Sequence, residues 1–220
     1  MPSFPLVLKV YVVTADGLVP GRGHAEVAAG AIAGGANAVQ LRFDPALPDE
    51  PLAPLARELA DRCRERGVLL VLNNRVDLAV EVGVGGVHLG QGDLWATARE
   101  RLTPEQVLGI SVETPAQAAA AALAGADYLA ATVWATATKP EAAPIGLDRF
   151  RELAASTALP LVGIGGITAA NAGQVLEAGA AGVAVVSAVA AALDPAEATR
   201  ALVRAVRGTT GVPPVEWGQE

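Results

Sequence analysis

The phrase AGAAGVAV, residues 178–185, follows an alanine-rich helical pattern and passes through a glycine into a short apolar run. The same arrangement occurs three more times, as GGANAVQL (34–41), VGVGGVHL (82–89) and AGADYLAA (124–131). Glycine adopts the left-handed conformation that ends many helices at little energetic cost. The four phrases therefore predict four junctions at which a helix ends and a buried strand begins.

Four further apolar runs lie between these junctions, and each is followed by turn residues and a helical pattern; they span 8–14, 67–73, 107–112 and 160–165. Strand and helix thus alternate eight times, which implies parallel strands joined by right-handed crossovers. Eight such units in a chain of 220 residues favour a single closed (β/α)₈ TIM barrel of the α/β class over an open sheet. We assign residues 1–207 to the barrel, whose last helix starts after Asp194, and the Pro- and Gly-rich residues 208–220 to a flexible C-terminal tail.

The composition limits the expected partners and location. The net charge of −7 argues against a nucleic-acid partner, which would need a basic face on the protein. No apolar stretch approaches the roughly 18 residues of a membrane span, and the N-terminal residues lack a basic leader, so we expect neither a membrane anchor nor a signal peptide. The single cysteine, Cys63, cannot form an internal disulfide, which fits a cytoplasmic protein. The oligomeric state stays open, with a homo-oligomer among the options.

Polar residues gather at the predicted carboxyl ends of the strands, where barrels of this class place their active sites. They are Gln40 and Arg42 after the second strand, Asn73 and Asn74 after the third, Gln91 and Asp93 after the fourth, Ser111 and Glu113 after the fifth, and Thr136, Thr138 and Lys139 after the sixth. By contrast, we interpret Asn37 and Asp127, at strand starts, as structural residues. His88 is interpreted as a satisfied barrel residue, because two histidines cannot make a histidine-rich metal site.

Several of these residues have more than one interpretation. An arginine in the barrel mouth needs an anion, so Arg42 meets either a ligand or a carboxylate such as Asp44. Asn74 either faces a ligand or caps the next helix, and Asp93 either binds Mg²⁺ or caps a helix. Glu113 shares a face with Ser111 if the strand alternation continues, which would make it a proton carrier.

Glycines follow the seventh strand as GIGGIT, and the eighth strand ends in VVSA. The loops after strands 7 and 8 are the usual phosphate site of phosphate-binding barrels, because backbone N–H groups approach the ligand closely there. Gly165, Gly166, Val186 and Ser187 therefore predict a phosphate cradle. The expected ligand is a small phosphorylated metabolite.

Taken in order, the motifs YVVT, QLR, NNRVDLA, GVHLGQGD, GISVET, TATK, GIGGIT and VVSAV resemble thiamine-phosphate synthase and its relative TenI, over about residues 10–205. The resemblance implies a thiamine-biosynthesis enzyme. Synthases of this family use Mg²⁺ to join a hydroxymethylpyrimidine pyrophosphate to a thiazole phosphate. It matches Arg42, Asn73 and Lys139 to pyrophosphate-binding positions, Ser111 to the reacting centre and Asp93 to one magnesium ligand. The thiazole-phosphate cradle is matched by Thr136, Thr138, Gly165, Gly166, Val186 and Ser187.

Two positions depart from the synthase pattern. The family usually reads QLREK and NDR, whereas this chain reads QLRFD and NNR, so Asp44 replaces a lysine and Asn74 a magnesium-binding aspartate. Both changes weaken the handling of pyrophosphate, while the phosphate cradle is intact. We therefore favour a TenI-like thiazole tautomerase, which needs no cofactor and in which Glu113 stands where the family carries a catalytic histidine.

The alternatives are an active Mg²⁺-dependent synthase and a non-catalytic regulatory binder of thiamine-related phosphates. Under the favoured interpretation, catalysis falls to Glu113, Ser111, Arg42 and Lys139. Substrate binding falls to the other predicted residues, which are Gln40, Asn73, Asn74, Gln91, Thr136, Thr138, Gly165, Gly166, Val186 and Ser187. Asp93 is a metal ligand only if Mg²⁺ binds.

Overall fold

A closed (β/α)₈ barrel is the architecture of this protein, in a computed structural model that describes residues 7–138 and 142–210. Each strand pairs in parallel with the next along the chain, and the last pairs with the first. The strands are β1 (Val10–Val13), β2 (Ala38–Leu41), β3 (Leu69–Asn73), β4 (Gly86–Leu89), β5 (Val107–Ser111), β6 (Tyr128–Thr132), β7 (Leu161–Ile164) and β8 (Gly182–Val185). The fold prediction is thereby confirmed.

The helices of the described residues surround the sheet. They are α1 (His24–Ala33), α2 (Ala53–Glu65), α3 (Val76–Val82), α4 (Trp95–Arg101), α5 (Pro115–Leu123), α6 (Gly146–Ala155), α7 (Ala172–Glu177), α8 (Ser187–Ala190) and α9 (Pro195–Thr210). The four-residue α8 is an addition to the eight helices that the sequence predicts. None of the helices within the described ranges is long and apolar enough to cross a membrane.

The glycine junctions have the predicted backbone conformation. In each of the four phrases one glycine takes a positive φ, namely +88° at Gly35, +72° at Gly83, +83° at Gly125 and +98° at Gly179. These values lie in the left-handed region that glycine enters without a Cβ clash. Each glycine turns the chain from the end of a helix into a buried strand. The barrel therefore contains the same local turn at four of its junctions between helix and strand.

Two apolar layers hold the barrel together. Val39 and Leu41 of β2 join the large cluster between the strands and the helices, whereas Ala38 packs inside the barrel with the two tyrosines Tyr11 and Tyr128. This split follows from the alternation of side chains along a strand. The barrel interior is therefore filled at mid-height, and a ligand can enter only at an end.

Hydrogen bonds at the strand starts confirm the structural role of two polar residues. The Asn37 side chain accepts from the Val10 N–H (3.0 Å), and the Asp127 carboxylate accepts from the Leu108 N–H (2.8 Å). Both tie the beginning of one strand to its neighbour. They lie at the opposite end of the barrel from the predicted site.

The last helix begins as predicted and ends later. Asp194 accepts from the N–H groups of Ala196 (2.8 Å) and Glu197 (3.1 Å), so it caps α9 with Pro195 in the first turn. The helix continues to Thr210, which makes 208–210 part of α9 rather than of the predicted tail. The rest of that tail, 211–220, lies outside the described residues.

Candidate functional site

A cavity of about 920 Å³ opens at the carboxyl ends of the strands. This volume is large for a small-molecule site, for which about 300–1,000 Å³ is usual. Its described lining brings together eleven of the predicted site residues. They are Gln40, Arg42, Asn73, Asn74, Ser111, Thr136, Thr138, Gly165, Gly166, Val186 and Ser187.

The loop after β7 is glycine-dependent for a steric reason. Gly165 and Gly166 have φ of +91° and +63°, and a Cβ on Gly165 would lie 2.5 Å from the Trp134 carbonyl oxygen. The Asn171 side chain stabilises this loop, because it donates to the Gly166 carbonyl at 3.0 Å. Across this loop the Thr136 and Thr138 hydroxyls lie 3.0 Å apart. The glycine turn and the two hydroxyl groups therefore line the same cavity, as expected for the predicted cradle.

Asn74 is not a helix cap, which corrects one of its two interpretations. Helix α3 begins at Val76 with Arg75 at the N-cap position, while Asn74 has a φ of +60°. Asparagine enters this left-handed region more readily than other non-glycine residues. With its NH₂ group turned toward them, Asn74 donates to the His88 carbonyl and to Asp93, both at 3.2 Å. The residue therefore links the ends of β3 and β4.

Asp93 does not cap a helix either. One carboxylate oxygen accepts from the Gly90 N–H at 2.6 Å, and α4 has Leu94 at its N-cap position without a side-chain cap. Asp93 lies outside the main cavity, in a smaller adjoining cleft that Asn74 also lines. Asn74 and Asp93 together form the boundary between the two.

Arg75, which sequence reasoning left without a role, clamps the loop between β2 and α2. Its guanidinium forms an ion pair with Asp49 and donates to the carbonyls of Asp44 (2.7 Å) and Leu47 (2.9 Å). The Asp44 carboxylate accepts from the Ala46 N–H at 2.9 Å, so it closes a turn within that loop. The sequence offered no signal for this clamp, because its partners lie 26–31 residues away.

Three predicted residues are not brought into the main cavity. Glu113 falls outside its described lining, because β5 ends at Ser111 and the chain turns there toward α5. The Glu113 N–H donates to Gln117 (2.6 Å), beside the capping box formed by Thr114 and Gln117. Gln91 and Asp93 also lie outside that lining, and Gln91 is exposed. Lys139 lies outside the described residues.

The floor of the cavity contains polar residues that sequence reasoning underrated. Gln40 donates to the Tyr11 hydroxyl (2.7 Å), which lies 3.0 Å from the Tyr128 hydroxyl. His88 then bridges Tyr128 (3.1 Å from Nδ1) and Ser111 (3.0 Å from Nε2). Burial raises the pKa of both tyrosines well above the usual value. His88 is satisfied, as expected, but it lines the cavity as well.

His24 forms a second buried polar group at the cavity edge. Its Nδ1 lies 2.7 Å from the Thr14 hydroxyl and its Nε2 lies 2.7 Å from the Asp16 carboxylate. Burial lowers the pKa of His24, and the attraction of Asp16 opposes that shift. His24 also meets the edge of the Phe43 ring at 4.7 Å. It thereby fixes the β1–α1 loop against the start of the β2–α2 loop.

The charged lining is more acidic than basic among the described residues. It contains four aspartates and two arginines, which are Asp16, Asp44, Asp49, Asp77, Arg42 and Arg75. An anionic ligand in this cavity therefore needs further positive charge.

The donor set around Asp93 suits Mg²⁺ bound together with a phosphorylated ligand. No group of three or more histidine, cysteine or acidic residues within the described ranges could hold a metal ion. Mg²⁺ often takes only one or two carboxylates, with waters and substrate phosphates completing its shell. Asp93 supplies one carboxylate, and Asn74 offers an amide oxygen beside it when its side chain is turned over.

A closed parallel barrel with a polar cavity at the carboxyl ends of its strands places this protein among the (β/α)₈-barrel enzymes. The family model described as "Thiamine monophosphate synthase" matches residues 10–189. The chain belongs to this family of thiamine-biosynthesis enzymes, as the sequence motifs predict.

Individual relatives agree with the family match. The thiamine-phosphate synthase of Natronomonas pharaonis is 48% identical over 204 residues, which cover 90% of this chain and 95% of that protein. The thiamine-phosphate synthase of Moorella thermoacetica is 43% identical over 214 residues, which cover 96% and 100%. Among solved structures, the thiamine phosphate pyrophosphorylase of Pyrococcus furiosus is 37% identical, with a TM-score of 0.85 and coverage of 93% and 98%.

Proposed function

We propose that the protein is a Mg²⁺-dependent thiamine-phosphate synthase. The observation that carries this proposal is its 43–48% identity, over most of its length, to relatives that are named thiamine-phosphate synthase. This identity supports an active synthase, which the sequence analysis kept as an alternative, over the TenI-like tautomerase that it favoured. The substrates would be a hydroxymethylpyrimidine pyrophosphate and a thiazole phosphate.

The chemistry of this reaction fits the cavity. The carbon–oxygen bond to pyrophosphate breaks and its electron pair leaves with the pyrophosphate. The lone pair of the thiazole nitrogen then forms the new carbon–nitrogen bond. No proton is removed from the attacking nitrogen, so the reaction needs stabilisation of the leaving group more than it needs a general base. The position of Glu113 outside the cavity lining agrees with a reaction that uses no carboxylate base.

Each side of the cavity has a role under this proposal. Arg42 and Asn73 would hold the pyrophosphate, together with Lys139, whose position lies outside the described residues. The glycines after β7 and the two threonines after β6 would bind the thiazole phosphate on the opposite side of the opening. Ser111, on the floor between them, would contact the reacting centre.

Bound Mg²⁺ would neutralise charge on the leaving pyrophosphate. Asp93 and Asn74 are the residues that would hold it. The acidic excess in the described part of the cavity lining supports a requirement for such a cation, since two arginines cannot balance both four aspartates and a pyrophosphate, even with Lys139 added.

A two-substrate assay over a wide range of Mg²⁺ concentration tests the proposal. We expect thiamine phosphate and pyrophosphate in equal amounts, a requirement for Mg²⁺, and unchanged synthase activity in the Glu113→Gln variant. The double variant Asn74→Asp, Asp44→Lys restores the usual family residues and should need less Mg²⁺.

Other outcomes would support the other interpretations. No product at any Mg²⁺ concentration, together with faster aromatisation of a thiazole carboxylate phosphate that Glu113→Gln abolishes, would identify a tautomerase instead. Calorimetric binding of thiamine-related phosphates without either reaction would identify a regulatory binder.

A further inference from the structure

Five residues from five different strands or strand ends form a continuous hydrogen-bonded series on the cavity floor, which we call the barrel-floor network. In order of contact they are Gln40, Tyr11, Tyr128, His88 and Ser111, with successive separations of 2.7, 3.0, 3.1 and 3.0 Å. The two tyrosine rings meet edge to face, with centroids 6.1 Å apart. A Cβ on Gly109 would lie 2.1 Å from the Tyr128 ring, so this glycine makes room for the ring.

The protons of the network can be counted. Both tyrosine hydroxyls are inside the barrel, where burial raises their pKa, so each keeps its one hydrogen at neutral pH. Gln40 donates its amide hydrogen to the Tyr11 oxygen. The Tyr11 hydrogen therefore needs another acceptor, and within residues 7–138 and 142–210 the Tyr128 oxygen is the one in reach.

The same argument continues to the cavity. Once Tyr128 accepts from Tyr11, its own hydrogen goes to Nδ1 of His88. A neutral imidazole with an accepting Nδ1 carries its hydrogen on Nε2, which then donates to the Ser111 oxygen. If the hydrogen bonds ran the other way, from Ser111 toward Tyr11, both Gln40 and Tyr128 would donate to the Tyr11 oxygen. The hydroxyl hydrogen of Tyr11 would then be unpaired in a fully buried position, which costs free energy.

We propose that the barrel-floor network runs in one direction, so that His88 is held as the Nε2–H tautomer and the Ser111 hydroxyl hydrogen points into the cavity. Tyr128 is then a positioning residue, which acts on the ligand through His88 and Ser111. The ligand atom that meets Ser111 must be a hydrogen-bond acceptor, such as an unprotonated ring nitrogen or a phosphate oxygen. This inference adds a residue role to the proposed synthase function. Of its two tests, only the activity measurement rests on that proposed function.

Nitrogen-15 NMR of the imidazole side chains at pH 8 tests the tautomer without any turnover. The chain has two histidines, and a His24→Gln variant leaves the His88 signals alone. We expect His88 to carry its hydrogen on Nε2, with Nδ1 as a hydrogen-bond acceptor. In Tyr128→Phe the Nδ1 signal should move to that of a nitrogen without a hydrogen bond. In the matched control Tyr11→Phe it should stay, because Tyr128 still donates to His88.

A hydrogen on Nδ1 of His88 in the unmodified protein would overturn the proposal, as would identical spectra for Tyr128→Phe and the unmodified protein. If Tyr128→Phe does not fold, the tautomer of His88 in the unmodified protein and in Tyr11→Phe still tests the proposed direction of the hydrogen bonds.

A double-variant comparison in the synthase assay tests whether Tyr128 acts through Ser111. Ser111→Ala should lower kcat/KM by about tenfold, which is the value of one hydrogen bond. Tyr128→Phe should cause a smaller loss, and the two changes together should be no worse than Ser111→Ala alone. Losses that multiply would mean that Tyr128 acts independently and would overturn its positioning role. Absence of any turnover would count against the proposed function, whereas the NMR result would stand.

Discussion

Replacement of Asn74 by aspartate is the most informative change at the edge of the cavity where we propose that Mg²⁺ binds. The Asn74 side chain lies 3.2 Å from the Asp93 carboxylate and can donate a hydrogen bond to it. Asn74→Asp would remove that donor and place two negative charges side by side. Aspartate, like asparagine, tolerates the φ of +60° at this position, so the backbone should not change.

The magnitude follows from the geometry. Two like charges 3.2 Å apart repel by about 1 kcal/mol at the dielectric constant of water, which applies here because Asn74 is exposed. The two lost hydrogen bonds, to Asp93 and to the His88 carbonyl, add about 1–2 kcal/mol together. Without Mg²⁺ we therefore expect Asn74→Asp to be about 2–3 kcal/mol less stable, equivalent to a fall in Tm of roughly 4–12 °C for a domain of this size. A cation bound between the carboxylates relieves the same repulsion, so the affinity for Mg²⁺ should rise about tenfold.

Thermal unfolding with a chelator or with saturating Mg²⁺ measures the first effect, and the Mg²⁺ concentration for half-maximal synthase activity measures the second. The matched control is the exchange variant Asn74→Asp, Asp93→Asn, which keeps one carboxylate and one amide. It should regain the stability lost at the contact between positions 74 and 93, but not the hydrogen bond to the His88 carbonyl. Equal Tm values for Asn74→Asp and the unmodified protein in chelator, with an unchanged Mg²⁺ requirement, would refute the reasoning.

Three further predictions concern other parts of the molecule. Gly165→Ala should lower the free energy of unfolding in urea by more than about 2 kcal/mol and raise the KM for thiazole phosphate, because the added Cβ would clash with the Trp134 carbonyl. The control Gly67→Ala should lose less stability, because Gly67 also has a positive φ but has open space around it. Arg75→Ala should release the β2–α2 loop and raise the KM for the pyrimidine substrate several-fold, and Arg75→Lys should not restore it because lysine lacks the planar fork that reaches three acceptors. Burial raises the pKa of Cys63 to about 12, so the folded protein should resist alkylation at pH 8 and lose stability as the pH rises above the ordinary thiol range toward 12, whereas the unfolded chain should react readily.

Residues at strand ends were predictable because the barrel imposes a simple rule. Once the alternation of strands and helices indicates a closed barrel, every strand's carboxyl end must face the same opening. Asn73, Ser111 and Gly165 come from different strands, and all three line one cavity. No knowledge of their contacts was needed to expect this.

The prediction for Glu113 shows where local rules stop. Strand alternation places Glu113 on the same face as Ser111 only while the strand continues, and β5 ends at Ser111. From there the capping box of α5 determines the backbone conformation, and the Glu113 N–H donates to the Gln117 side chain that forms part of this box. The competing signal, Thr114 followed three residues later by Gln117, was present in the sequence and should have taken precedence.

The sequence by itself determined the barrel, because its signals are local: a left-handed glycine at four of the junctions between helix and strand, apolar runs of strand length, and polar residues or glycines where the runs stop. Only the tertiary structure decided the floor of the site. Tyr11 and Tyr128 are 117 positions apart and make a 3.0 Å contact because closure of the sheet directs side chains of β1 and β6 into the same narrow interior. No periodicity encodes such a contact, since it depends on how side chains from across the barrel fill the same volume. The direction of hydrogen bonding that reaches Ser111 follows from that packing.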